Sequence, residues 1–194
     1  MTEAGDGERP PPEPDAVRLG GVEEFAGLFD TYAAPMHRYL ARRVGVDQAH
    51  DLVSETFLIA FRRRGTYDPR TAGAKAWLYG IATNLARRHV RQEVRGLRAT
   101  ARAGVREPTD LAAHDGSVAE RVDAQNLARR IAPAIADLND GDRDVLLLTS
   151  WAGLTTVEVA DALGIPVGTV RSRLHRVRRR LHALTTAEEA YDHD

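Results

Sequence analysis

Apolar residues recur at three- and four-residue intervals in several separate stretches, and no alternating strand pattern interrupts them. The first stretch carries Phe25, Leu28, Phe29, Tyr32, Met36, Tyr39, Leu40 and Val44, with Pro35 interrupting it. The second places Leu52, Val53, Thr56, Phe57, Ala60 and Phe61 on one stripe. A turn-rich segment, Gly65–Gly73, precedes a third amphipathic helix marked by Trp77, Leu78, Ile81, Ala82, Leu85 and Ala86. Periodicity lapses from Arg95 to Gly116, then resumes at Val118 with Val122, Leu127, Ile131, Ile135 and Leu138. Pro133 is expected to kink or restart that helix, since it removes a backbone donor. Asn139–Asp142 reads as a turn and cap, followed by a short helix with Val145, Leu146, Leu148 and Trp151. The predicted class is all-α: two small helical domains, 21–94 and 118–184, joined by a flexible linker at 95–117. The proline- and acid-rich arm 1–20 and the polar, acidic tail 185–194 hold too little apolar surface to order themselves.

The last helical pair has the most specific local grammar. Thr155-Thr156-Val157-Glu158 matches a capping box, in which hydroxyl and carboxylate satisfy each other's backbone donors. Val157, Ala160 and Leu163 give a short helix, Gly164 suits a left-handed stop, and Pro166 suits the next helix start. Ile165 reads as a buried plug in the turn. Beyond it, Val170, Leu174, Val177, Leu181 and Leu184 form a buried seam. At 100° per residue, Gly168, Ser172, His175, Arg176 and Arg179 point away from that seam, flanked by Thr169 and Arg171. Small and bidentate polar residues on an exposed helix start, with arginines beyond, are what a DNA-recognition helix requires. Arg173 lies near the seam edge and suits either DNA or an internal partner such as Glu158.

Charge sharpens this picture only when it is resolved along the chain. The net charge is −1, yet Arg87–Arg106 holds seven arginines and Arg171–Arg180 holds six with no acid. Two basic stripes imply two contacts with a polyanion. Asp47, Asp51 and Glu55 form the opposite feature, an acidic ridge at i, i+4 and i+8. Like charges at that spacing disfavour a helix, so the ridge either meets an external cation or is a solvated face with local partners such as Arg62 and Arg63.

The chain has no cysteine, which excludes disulfides and thiolate metal sites. Its seven histidines show no paired ligand spacing, and no phosphate loop, nucleophile elbow or HExxH appears. No enzyme activity, cofactor, metal or small-molecule substrate is therefore expected. No apolar run is long enough to span a membrane and the start is no secretory signal, so the cytoplasm is the expected compartment.

Three strings, in order, resemble bacterial extracytoplasmic-function RNA polymerase sigma factors. Asp47-Gln48-Ala49-His50-Asp51-Leu52-Val53-Ser54-Glu55-Thr56-Phe57 looks like their core-polymerase-binding motif. The string Ala76–Arg88 resembles their promoter-melting and −10-reading helix, and Leu163–Leu174 their −35-reading helix-turn-helix. The resemblance covers roughly Phe25–Leu184 and makes 21–94 a sigma region 2 domain and 118–184 a region 4 domain. It implies that Asp47, Asp51, Leu52 and Glu55 bind core RNA polymerase. It implies −10 contacts from Asn84, Arg87, Arg88 and Arg91, with Tyr67 and Arg70 of the preceding loop as candidates for capturing a flipped base. Trp77 suits the core better than a base-stacking platform. The −35 element falls to Gly168, Thr169, Arg171, Ser172, His175, Arg176 and Arg179. The implied partners are core polymerase, promoter DNA and a cognate anti-sigma factor. A stand-alone helix-turn-helix regulator and a helical adaptor without promoter activity are the competing readings. The acidic arm and tail are either inert or compete with DNA for the basic stripes.

Overall fold

The computed structural model describes residues 21–102, 135 and 137–189, with side chains through Arg95 in the first block and His182 in the second. Outside the described residues lie the arm 1–20, most of the expected linker, the helix expected from Val118, its break at Pro133, and the last five residues. Helix α1 spans Val22–Val44, α2 Val46–Arg63 and α3 Ala74–Arg102; α4 spans Asp140–Ser150, α5 Thr156–Leu163 and α6 Val167–Glu189. Among the described residues there is no strand, as the pattern of spacing requires.

The first three helices build one bundle. Gly45 alone separates α1 from α2, and its φ of 88° is a conformation that side chains with a Cβ rarely adopt. Phe25, near the start of α1, meets Phe61 near the end of α2 at 5.2 Å, so the two helices run antiparallel. Edge-to-face contacts of Phe25 and Phe29 with Phe57 extend the seam. Helix α3 closes the bundle over Met36, Tyr39 and Leu40, which are almost wholly buried. The Tyr39 hydroxyl meets the Thr83 hydroxyl at 2.9 Å, so each buried oxygen has a partner. Burial pushes the neighbouring Tyr79 phenol up to about 12.

Two local expectations change. Pro35 does not break α1, which runs straight through it. The ring deprives one carbonyl, that of Thr31, of its donor; Thr31 is exposed to water, while buried Tyr32, Met36, Tyr39 and Leu40 hold the helix on both sides. Helix α3 continues to Arg102, well into the segment expected as linker. Arginine favours helix strongly enough to propagate one already nucleated by packing.

In the second half the sequence grammar is realised bond by bond. Asn139 caps α4, its Oδ1 accepting from the Asp142 N–H at 2.9 Å. Thr155 Oγ1 accepts from the Glu158 N–H, and Glu158 Oε2 accepts from the Thr155 N–H at 2.7 Å, completing the capping box before α5. Gly164 is left-handed at φ 63°, and the Ile165 N–H returns to the Ala160 carbonyl at 3.0 Å. Val145, Leu148, Val159, Val170 and Val177 then close the core beneath α6. Asp142, itself buried, receives two bonds from Arg176 at 2.8 and 2.7 Å and ties α4 to α6.

The two halves pack against each other. The tightest approach is at Gly80 of α3, where a Cβ would lie 2.5 Å from the Ala162 carbonyl oxygen of α5. Asp144 of α4 is wholly buried and is shared by Arg43 of α1 and Arg87 of α3. Arg91 bonds Asp140 at 3.0 Å, Lys75 donates to the Gly153 carbonyl at 3.0 Å, and Arg42 lies over the Trp151 ring.

Two predictions follow from these ties. Thr155→Ala removes half of the capping box and is expected to cost about 1 kcal/mol, read as a lower urea midpoint at unchanged slope. Hydrogen bonds from Arg176 hold the Asp142 carboxyl below its ordinary value, and those from Arg91 do the same for Asp140. A carboxyl depressed on folding stabilises the fold above its unfolded pKa and loses that contribution as pH falls through the lower, folded one. Urea midpoints are therefore expected to fall below about pH 4, the ordinary carboxylate range, and less steeply in Asp142→Asn.

Candidate nucleic-acid interface

Helices α5 and α6, with Gly164 and Ile165 between them, form a helix-turn-helix whose second member has distinct inner and outer faces. Val170, Leu174 and Val177 are buried, and Leu181 is half-buried. Gly168, Arg171, Ser172, His175, Arg176 and Arg179 are exposed, and Thr169 lies at the margin. Arg171 and Arg179 make no ion pair with any described residue, and neither does Arg178. The outer face thus presents free guanidiniums, an imidazole and a small hydroxyl on a rigid helix, a combination that can read base edges and hold phosphates. The Ser172 hydroxyl donates locally to the Thr169 carbonyl at 3.0 Å, leaving its lone pairs outward. Arg173 does turn inward, but towards Asp142 at 4.0 Å, because Glu158 is committed to the capping box. Its guanidinium lies against Gly141, where a Cβ would fall 2.6 Å from Nη1.

On α3 the candidate set divides. Asn84 and Arg88 are exposed. Arg87 and Arg91, on the turn of the helix that faces the second half, are held by Asp144 and Asp140. In the preceding loop Tyr67 stacks on Trp77 with ring centroids 4.8 Å apart, and Arg70 is exposed beside Asp68 at 3.3 Å. Trp77 is half-buried against the core, as its place in the apolar stripe suggests.

On α2 the acidic ridge stands clear. Asp47, Asp51 and Glu55 are exposed, and none pairs with a described residue, Arg62 and Arg63 included. Leu52 is different: only 7 % exposed, it forms the floor of a shallow groove lined by Glu55, Leu85, Arg88, His89 and Gln92. It shapes the ridge more than it offers contact area.

The residues missed in sequence are the acids that face the arginines. Asp140 and Asp142 read as cap and turn, and Asp144 as one more surface carboxylate. Its position directly before Val145-Leu146-Leu147-Leu148 was the available signal of burial. Arg43, at the end of α1, gave none.

The sigma-70 region 2 family matches residues 28–96, and sigma-70 region 4 matches residues 128–181. The chain is 31% identical over 170 residues to the ECF RNA polymerase sigma factor SigW of Bacillus subtilis, covering 85% of this chain and 90% of SigW. It is 33% identical over 155 residues to SigL of Mycobacterium tuberculosis, covering 79% of this chain and 84% of SigL. In fold it is similar to CnrH in complex with the cytosolic domain of CnrY, with a TM-score of 0.63, 23% identity, and coverage of 90% and 99%. RpoE in complex with the anti-sigma factor NepR from Bartonella quintana gives a TM-score of 0.62 at 22% identity, covering 85% and 98%. Two matched regions in the family's order, on a helical scaffold with an outward arginine face, make this chain a member of the extracytoplasmic-function RNA polymerase sigma factors, which direct transcription to promoters.

Proposed function

We propose that the work of initiation divides between the two helical domains. The first, 21–94, docks core polymerase through the ridge Asp47, Asp51 and Glu55, with Leu52 fixing its shape. The same domain reads and opens the −10 element through Asn84, Arg87, Arg88 and Arg91, with Tyr67 and Arg70 near the displaced base. The second, 118–184, anchors the −35 element through Gly168, Thr169, Arg171, Ser172, His175, Arg176 and Arg179. Residues 95–117, the first of them continuing α3, join the two. The observation that carries this reading is the outer face of α6, where exposed Arg171, Ser172 and His175 stand on a buried Val170–Leu174–Val177 seam.

Isolated, each contact is weak. Phosphate contacts alone give dissociation constants of roughly 10⁻⁴–10⁻⁶ M at physiological salt. Polymerase bridging both domains raises the effective concentration of the second contact once the first is made. Bond formation in RNA belongs to the polymerase, and this chain supplies position and strand opening. The unpaired acids of α2 suit a basic polymerase surface because opposite potentials speed encounter and fix register. A cognate anti-sigma factor, acting where polymerase and DNA would bind, fits the same surfaces. The cytoplasm, where polymerase and template are, is the compartment this function needs; no described helix is long and apolar enough to cross a membrane.

Run-off transcription with core polymerase is expected to give a promoter-selective product from the wild type. Arg171→Ala is expected to lower it between about fivefold and a hundredfold, the range of one bidentate base contact, at promoters retaining the −35 element. Asp51→Arg is expected to abolish co-elution with core polymerase while leaving the urea midpoint within about 0.5 kcal/mol. Tight operator binding without polymerase would replace this reading with a stand-alone regulator, and polymerase binding without selective product with an adaptor.

A further inference from the structure

The arginines assigned to DNA in both domains converge on one short acidic helix. Asp140, Asp142 and Asp144 fall at alternate positions in the first turns of α4. Asp144 holds Arg87, Asp140 holds Arg91 at 3.0 Å, and Asp142 holds Arg176 at 2.7 Å. Three carboxylates therefore occupy guanidiniums that would otherwise face phosphate. We propose that α4 is a built-in competitor for DNA, so that the free protein rests in a closed state with its −10 helix masked. This inference rests on the assignment of α3 and α6 to promoter contact.

The packing supports a discrete closed state as well as chance ion pairing. Gly80, Arg87 and Arg91 are seven and four residues apart and lie along one side of α3. Gly80 admits the α5 backbone at Ala162, and the two arginines meet α4 further along the same face. Asn84 and Arg88 stay exposed, so half of the −10 set is covered and half remains available for a first encounter. Asp144 is wholly buried, and the Arg43 side chain paired with it is only 7 % exposed. Separating them in isolation would leave charges without partners, so the closed state is held until something replaces the contacts. Core polymerase binding the α2 ridge and spreading the domains, together with DNA phosphates taking over Arg87 and Arg91, would do so.

The contact can be tested in the full-length chain without disturbing the DNA-facing residues. Because the protein has no cysteine, cysteines replacing exposed Leu58 on α2 and Val157 on α5 accept a dye pair cleanly. Free wild type is expected to show a single high-transfer state that core polymerase converts to low transfer. Gly80→Ala introduces the forbidden Cβ at the contact without changing any charge, and alanine favours helix over glycine. Asp144→Asn removes the shared charge and leaves the shape. Both are expected to lower transfer in the free protein and to tighten its binding to a promoter duplex by about three- to tenfold, as expected when a masked state is depopulated. High transfer in both variants with unchanged DNA affinity would overturn the masking. Tighter binding by Asp144→Asn without change in Gly80→Ala or in transfer would also overturn it, since general charge then accounts for the gain. Wild-type promoter-selective run-off with core polymerase, measured alongside, separates that failure from a failure of the proposed function itself.

Discussion

Asp144 is the point on which the arrangement of this molecule turns. One carboxylate, fully withdrawn from water, is shared by a guanidinium from α1 and another from α3. A lone buried carboxylate would carry a large desolvation penalty, whereas two charge-assisted partners offset it. Removing one member of such a cluster commonly costs 3–5 kcal/mol, because the remaining charges stay buried. Helix α4 is therefore bound to the first bundle by chemistry as much as by shape, and α5 and α6 come with it through the shared core beneath them.

Around that point, glycines and caps decide where helices meet. Gly80 lets α3 and α5 approach closely enough that any side chain would strike the Ala162 carbonyl. Gly164 ends α5 in the left-handed conformation, which turns the chain directly into the recognition helix. The capping box on Thr155 and Glu158 fixes the other end of α5 and also removes Glu158 as a partner for Arg173. Arg173 is consequently drawn to Asp142 with Arg176, and the acidic helix comes to hold arginines from both domains.

The same basic residues thus have two possible partners, carboxylates within the molecule and phosphates outside it. A sigma factor free in a cell crowded with nucleic acid gains from such an arrangement, since non-specific DNA attraction scales with the number of unmasked cations. The exposed α2 ridge is not involved in the internal pairing, so polymerase can dock before the arginines are released. Arg171 and Arg179 also stand clear, which leaves the helix-turn-helix able to sample DNA while the −10 helix is held.

Much of this was legible in the chain because it depends on neighbours in sequence. Three-four spacing determined the helices, the Thr155–Glu158 box and Gly164 determined the reader's start and stop, and 100° arithmetic determined which α6 residues face outward. The family strings placed the ridge and the −10 helix. Local rules misjudged Pro35 and the end of α3, because packing on either side outweighs one lost hydrogen bond and because a nucleated helix propagates. What only the tertiary structure decided is which charges meet. Arg43 and Asp144 are 101 residues apart, and Arg87 and Asp144 57 apart. Periodicity reports which face of a helix is dry, but says nothing of what lies across from it. That choice is made when distant helices pack, and here it gave the acids of α4 to the arginines that DNA would otherwise claim.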